Sequence, residues 1–151
     1  MPAKPWRAWA RGSMGGFTFL EHTADVGIVA EGATLAEAFA WAGMGMFAVI
    51  ADLSTVREQE KVEVEVTAPD REALLVDFLN ELNFLFEARG FLCKRIEVVE
   101  MEDTRLRAVC WGEKIDRSRH RIQCLVKSAT YHALALQPTN GGWRVQVILD
   151  I

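Results

Sequence analysis

The sequence has little of what a self-contained metalloenzyme or nucleophilic enzyme would need. Its 151 residues include only three cysteines, Cys93, Cys110 and Cys124, and three histidines, His22, His120 and His132. No two cysteines form a Cys-x-x-Cys pair, and the histidines are too scattered for a His-Glu-x-x-His helix, so no local zinc motif exists. An odd number of widely spaced cysteines, each among strand-like apolar neighbours, reads as buried reduced thiols. No phosphate-cradling glycine loop and no Gly-x-Ser-x-Gly elbow occurs. Apolar runs stop short of the ~18 residues of a membrane span, and the start of the chain lacks the apolar stretch of a secretory signal, so a cytoplasmic protein is expected. Basic charge is scarce too. With 17 Lys and Arg against 21 Asp and Glu the net charge is -4, a poor match for a broad phosphate-binding surface, which relies on clustered Lys and Arg.

What is present fits one globular domain. Half the residues are hydrophobic and a quarter charged, and a chain of this length buries ~70% of its unfolded surface without needing a disulfide or a metal. Neither internal repeats nor low-complexity segments are visible. Residues 1–16 read as an extension outside the domain at 17–151. They carry Lys4, Arg7 and Arg11 without an acid, Trp6 and Trp9 between them, and the run Gly12-Ser13-Met14-Gly15-Gly16. A true start at Met14, an expression remnant and a weak basic arm all read this way.

From Phe17 the pattern is regular. Phe17–Leu20 and Val26–Ala30 read as short strands. Thr34-Leu35-Ala36-Glu37 is a capping box, and Leu35, Phe39, Ala42, Met46 and Val49 share one helical face. Gly43 and Gly45 interrupt that helical pattern. Lys61–Thr67 alternates with period two, a half-buried strand. Asp70 is a candidate N-cap for a second helix whose apolar face is Leu74, Leu75, Phe78, Leu82, Leu85 and Phe86, with Gly90 as its stop. Strands are expected at Phe91–Met101, Arg105–Trp111, Ile122–Ser128, His132–Gln137 and Trp143–Leu149, with a hairpin at Asn140-Gly141-Gly142, where both Asn140 and Gly141 tolerate positive φ. The expected fold is α+β: two helices packed on a mainly antiparallel sheet in a single domain.

The residues with chemistry to offer are acids in apolar company: Asp25 in Glu21-His22-Thr23-Ala24-Asp25-Val26-Gly27, Asp52 after Met46–Ala51, and Asp150 beside the α-carboxylate of Ile151. Converging hard oxygens suit calcium, magnesium or manganese. Each Asp alone is equally a turn or cap residue, and spacing does not bring Asp25 and Asp150 together. Trp111 and Trp143 read as core or sheet-face residues, because a stacking platform for bases wants exposed aromatics among basic residues.

Taken in order, these stretches resemble the archease family. The resemblance runs through Glu21–Gly27, Thr34–Phe39, Ala48–Asp52, Leu74-Leu75, Leu79–Leu82, Trp111-Gly112-Glu113, Val126–His132 and the ending Val147-Ile148-Leu149-Asp150-Ile151. Within it Ser128 reads as ordinary variation. The resemblance implies an accessory protein, without catalysis of its own, that activates the RNA ligase of tRNA splicing. That ligase joins an end bearing a 2′,3′-cyclic or 3′ phosphate to a 5′-hydroxyl, using GTP and divalent metal. Archease is expected to promote its guanylylation and multiple turnover, meeting RNA only through the ligase, with no membrane involved. The resemblance assigns a divalent metal, calcium or else magnesium or manganese, to Asp25, Asp150 and Ile151. His22, Thr23, Asp52 and Lys127 are further candidates: His22 could orient a ligand carboxylate from the outer shell, and Lys127 is the matching basic residue at a strand end, a position where a merely solvated lysine is also common. Two other functions fit the residues alone, a stand-alone metal-dependent phosphohydrolase and a metal-independent protein chaperone or scaffold. The first lacks a recognisable general base or nucleophile pair.

Overall fold

The computed structural model describes residues 15–21 and 25–151. Among these residues the elements are β1 (Gly16–Glu21), β2 (Asp25–Gly32), α1 (Leu35–Ile50), β3 (Glu60–Thr67), α2 (Arg71–Arg89), β4 (Phe91–Met101), β5 (Arg105–Lys114), β6 (Ser128–Thr139) and β7 (Gly142–Asp150). The helix ends are set locally. The Thr34 hydroxyl accepts the Glu37 amide at 3.1 Å, and Asp70 Oδ1 accepts the Ala73 amide at 2.8 Å, each satisfying one of the donors a helix start leaves over. α2 stops at Gly90, whose φ of +63° lets its amide reach back to the carbonyls of Leu85 and Phe86.

The strands form two antiparallel sheets, ordered β1-β2-β7-β6 and β3-β5-β4. The helices lie between them. α1 packs on β1, β2 and β7 on one side and on β4 on the other, while α2 packs on β6 and on the three strands of the second sheet. The α+β class, the two helices and the antiparallel strands are those the sequence predicts; the division into two sheets is a feature its period-two pattern does not specify. A helix held between two sheets must be narrow on both sides, which explains the glycines that interrupt the α1 pattern. A Cβ at Gly43 would press on Ile96 and Leu82, and one at Gly45 on Ile28 and Phe17. For the same reason α1 buries far more than the one face read from its periodicity, including Ala38, Met44 and Phe47. Phe39 of α1 stacks on Phe78 of α2 at a centroid distance of 6.4 Å in the middle of the core.

Three local expectations change. Ile122–Ser128 is not a strand: apart from a bridge between Ile122 and Ala51, it crosses from the second sheet to the first, and β6 starts only at Ser128. Its polar groups are met without a ladder, the Gln123 amide by the Ile50 carbonyl at 2.7 Å and the Val126 carbonyl by the Asn83 side chain at 2.8 Å. The strand read at His132–Gln137 is the second half of a longer β6, whose register against β7 breaks between Thr130 and Ala135, with Ala133 at a φ of +53°. In the β6–β7 turn Gly141 adopts positive φ (+92°) and Asn140 does not. The cysteines are free, with Cys93 and Cys110 buried and Cys124 half-buried. Burial beside Cys110 pushes the Cys93 thiol up, away from the reactive thiolate. No helix among the described residues is long and apolar enough to cross a membrane.

Candidate functional site

Alternate residues of β7 take opposite sides of the four-stranded sheet. Val145, Val147 and Leu149 are buried against the helices, so Arg144, Gln146, Ile148 and Asp150 belong to the outer face. The register then decides what Asp150 meets. It lies directly opposite Asp25 on β2 and directly opposite Ser128 on β6, so Ser128, Asp150 and Asp25 form one row across three strands on the same face. Side chains at directly opposed positions have Cβ atoms ~4.5–5.5 Å apart, and two carboxylates thus share one spot at the end of the sheet. Asp25 Oδ1 is buried, whereas Asp150 is exposed, giving one sunken and one open carboxylate. The Lys127 amide donates to the Asp150 carbonyl at 2.8 Å, and the Lys127 side chain is exposed beside the pair. Ile151, the residue after Asp150, packs half-buried against the core.

Asp52 stands apart from this row. The short link from β2 to α1 turns the helix back along β2, so Asp52, just past the helix end, returns to the same end of the molecule. Its carboxylate is spent locally, however: Oδ1 accepts the Ser54 amide at 3.0 Å and the Ser54 hydroxyl at 2.7 Å, capping a single 3₁₀ turn at Leu53–Thr55. Those two bonds hold its carboxyl below the usual range. Asp52 Oδ1 caps that turn, and among the described residues Asp52 does not join Asp25 and Asp150 in a cluster of three acids. His22 and Thr23 lie outside the described residues.

The sequence reading passed over two features of this end. Ser128 is one, since only the register reveals it as the neighbour of Asp150. The other is a buried network that anchors the segment feeding Ser128 and Lys127 into the row. Glu113, at the end of β5, accepts from Arg119 Nη2 at 2.7 Å and Arg119 Nη1 at 3.2 Å, from the Arg57 amide at 2.8 Å, and bonds His120 Nε2 at 2.9 Å. His120 Nδ1 accepts the Asp116 amide at 2.8 Å, so the ring hydrogen sits on Nε2 and is donated to Glu113. Arg119 foremost, with the Arg57 amide and His120, pulls the Glu113 carboxyl down to about 2. A signal was there to find: a glutamate ending the otherwise apolar run Val109-Cys110-Trp111-Gly112, with Arg119 and His120 close behind. Further along, Asn80 Oδ1 accepts the Ala129 amide at 2.7 Å, which ties the start of β6 to α2.

The donor set suits a hard cation in type and falls short of a full shell in number. Among the described residues no group of three or more His, Cys, Asp and Glu side chains converges; the row offers two carboxylates and a hydroxyl, against the six to eight oxygens calcium takes. The two candidate aromatics are covered by cations, as sheet-face residues are: the Arg95 guanidinium lies 3.7 Å over Trp111 and that of Arg71 5.5 Å over Trp143.

Comparison with known proteins agrees with this architecture. The model of the Archease protein family (MTH1598/TM1083) matches residues 17–151. Protein archease of Methanosarcina mazei is 39% identical over 139 residues, covering 89% of this chain and 95% of its own length. Protein archease of Aeropyrum pernix is 36% identical over 141 residues, covering 91% and 98%. The solution structure of Methanobacterium thermoautotrophicum protein 1598 superposes with a TM-score of 0.76 at 36% identity, over 90% of this chain and 99% of that one. A Thermotoga maritima archease shares the fold, with a TM-score of 0.57 at 19% identity, over 87% and 94%. With the family model spanning the folded domain, the chain belongs to the archease family.

Proposed function

We propose that this protein is an accessory activator of the GTP-dependent tRNA-splicing RNA ligase, acting through a divalent metal held at the Asp25–Asp150 row. The observation that carries the reading is the register: two acids 125 positions apart in sequence stand directly opposite each other on the outer face of one sheet. Family membership supports the choice of partner. Bound there, a hard divalent cation such as calcium, magnesium or manganese would supply positive charge for phosphate oxygens.

The chain's own residues divide the remaining work. Asp25 and Asp150 supply carboxylate oxygens and Ile151 a main-chain oxygen, while Ser128 offers a neutral oxygen on the other side of Asp150. Lys127 carries an exposed ammonium at the rim, placed to meet a phosphate as a point charge. The incomplete donor set suits a site finished by a partner, in which the isolated protein binds metal weakly and the complex binds it tightly. On this reading the protein performs no reaction of its own and meets RNA through the ligase.

Calorimetric titration of the purified protein with Ca²⁺, Mn²⁺ and Mg²⁺ tests the site. The expected result is one weak to moderate site per chain, lost in both Asp25→Ala and Asp150→Ala. Unchanged affinity in the two variants would remove the site and with it this mechanism.

A further inference from the structure

Basic charge is scarce in this chain and unevenly placed. Residues 114–127 hold Lys114, Arg117, Arg119, Arg121 and Lys127 against a single acid, Asp116, in a protein whose net charge is -4. Arg119 is engaged with Glu113 at 2.7 Å and with Asp116 at 3.6 Å. The other four cations are exposed and make no ion pair among the described residues. Backbone bonds bring two more beside them. The Ile115 amide donates to the Gly90 carbonyl at 2.7 Å, which sets Arg89 next to this loop, and the Arg57 amide donates to Glu113 Oε2 at 2.8 Å. Arg57 and Arg89 are likewise exposed and without an ion pair among the described residues. The acids of this corner already have partners. Glu113 is buried under Arg119 and His120, and Asp116 Oδ1 accepts the Ser118 amide and hydroxyl at 3.0 and 2.6 Å. Asp52, which feels the charge of Arg121, accepts from Ser54.

We propose that these six cations form a binding strip for the phosphate backbone of single-stranded RNA, running from Arg57, Arg89, Lys114 and Arg117 through Arg121 to Lys127 beside the acid row. Along 121–127 alternate residues are exposed, Arg121, Gln123, Leu125 and Lys127, while those between them are more buried. At ~3.3 Å per residue this part alone spans up to about 20 Å, which exceeds one small anion and suits a chain of phosphates. Four of the six cations are arginines, whose planar forks match phosphate oxygens two at a time. No Phe, Tyr or Trp occurs in 114–127. The strip therefore lacks the aromatic anchor on which protein interfaces centre, and it offers no stacking platform for bases. Contact is with the backbone and independent of base sequence. The net negative charge of the chain does not forbid it, because exposed charges more than ~8 Å away are largely screened at physiological salt. The inference goes beyond the ligase reading: RNA brought by the ligase also rests on this protein, with Lys127 where the strip and the acid row meet.

The test is fluorescence polarisation of a labelled oligo(U) RNA titrated with the full chain alone, so that its outcome does not depend on the ligase or on bound metal. With ~3–4 phosphates neutralised, the logarithm of the affinity should fall against the logarithm of salt concentration with a slope of roughly -2 to -3. Arg117→Glu/Arg121→Glu should weaken binding about tenfold or more and flatten that slope, with a circular dichroism spectrum matching wild type. Lys127→Gln, a milder change, should weaken binding in the same direction. Arg144→Glu, at the opposite end of β7 from Asp150, should leave binding unchanged. Absence of salt-dependent binding would overturn the proposal, and so would an equal loss in Arg144→Glu, which would assign the effect to net charge. A poly-glutamate peptide that binds as tightly as the RNA would overturn it in favour of an acidic protein partner.

Discussion

Two carboxylates placed directly opposite each other across a strand pair repel, and the fold carries that cost at Asp25 and Asp150. A residue kept for a ligand at the expense of the fold has a recognisable signature when it is neutralised. In the presence of a chelator Asp150→Asn should raise unfolding stability by roughly 0.2–1 kcal/mol, since it removes a like-charge contact at an exposed position. With calcium in excess the order should reverse, because only the wild type gains from binding. Urea denaturation under both conditions checks this, and a variant less stable than wild type in chelator would show that Asp150 serves the fold. Single residues were the scale at which the sequence was most and least legible. Asp25 and Asp150 stood out as acids in apolar surroundings, yet their contact depends on how β2 meets β7, a long-range register that no local spacing encodes. Ser128 was invisible for the same reason. Asp52 looked like the other acids, and its Oδ1 also caps a turn, because its neighbour Ser54 offers both a hydroxyl and an amide within reach.

At the scale of elements, local chemistry was a good guide wherever the chain closes its own hydrogen bonds. Thr34, Asp70 and Gly90 mark the helix ends as expected, and Phe91–Met101 matches β4 along its length. The reading failed at 122–127, where alternating apolar residues suggested a strand but the chain crosses between layers and borrows partners from α1 and α2. The Asn83 side chain anchors that crossing, and the loop leading into it is held, through Arg119 and His120, by Glu113. Its carboxyl lies at about 2 in the folded protein against an ordinary 4.5, so it binds its proton less readily folded than unfolded. Its stabilising contribution is therefore complete above the unfolded value and is lost as pH falls through the interval from 4.5 to about 2. Glu113→Gln should lower stability at neutral pH by ~1–3 kcal/mol through loss of charged hydrogen bonds. It should also flatten the dependence of stability on pH across the acid range. Chemical denaturation of both proteins from pH 6 to pH 3 makes the comparison, and parallel curves would assign the acid sensitivity to other carboxylates.

At the scale of the whole molecule, the two sheets have different outer faces. The three-stranded sheet presents acids and arginines in cross-strand pairs, Arg105 with Glu65 at 3.0 Å and Arg107 with Glu63 and Glu100 at 3.2 and 2.9 Å. Such exposed pairs add little stability, and they leave that face locally balanced in charge. The four-stranded sheet instead ends in two directly opposed acids and an exposed lysine. Helices between two sheets, with the termini of β2 and β7 brought side by side, are what create that end. The order of helical and period-two segments predicted the α+β class, but it could not show that the strands divide, because a half-buried strand has the same alternation in either sheet. The decisive experiment is ligation turnover: purified RNA ligase with excess cleaved RNA, GTP and divalent metal, with and without a substoichiometric amount of this protein, alongside Asp25→Ala. More than one ligation per ligase with the wild-type protein, lost in the variant, is the expected result. Stimulation that survives Asp25→Ala, or no stimulation of a cognate ligase, would contradict a metal-dependent activator.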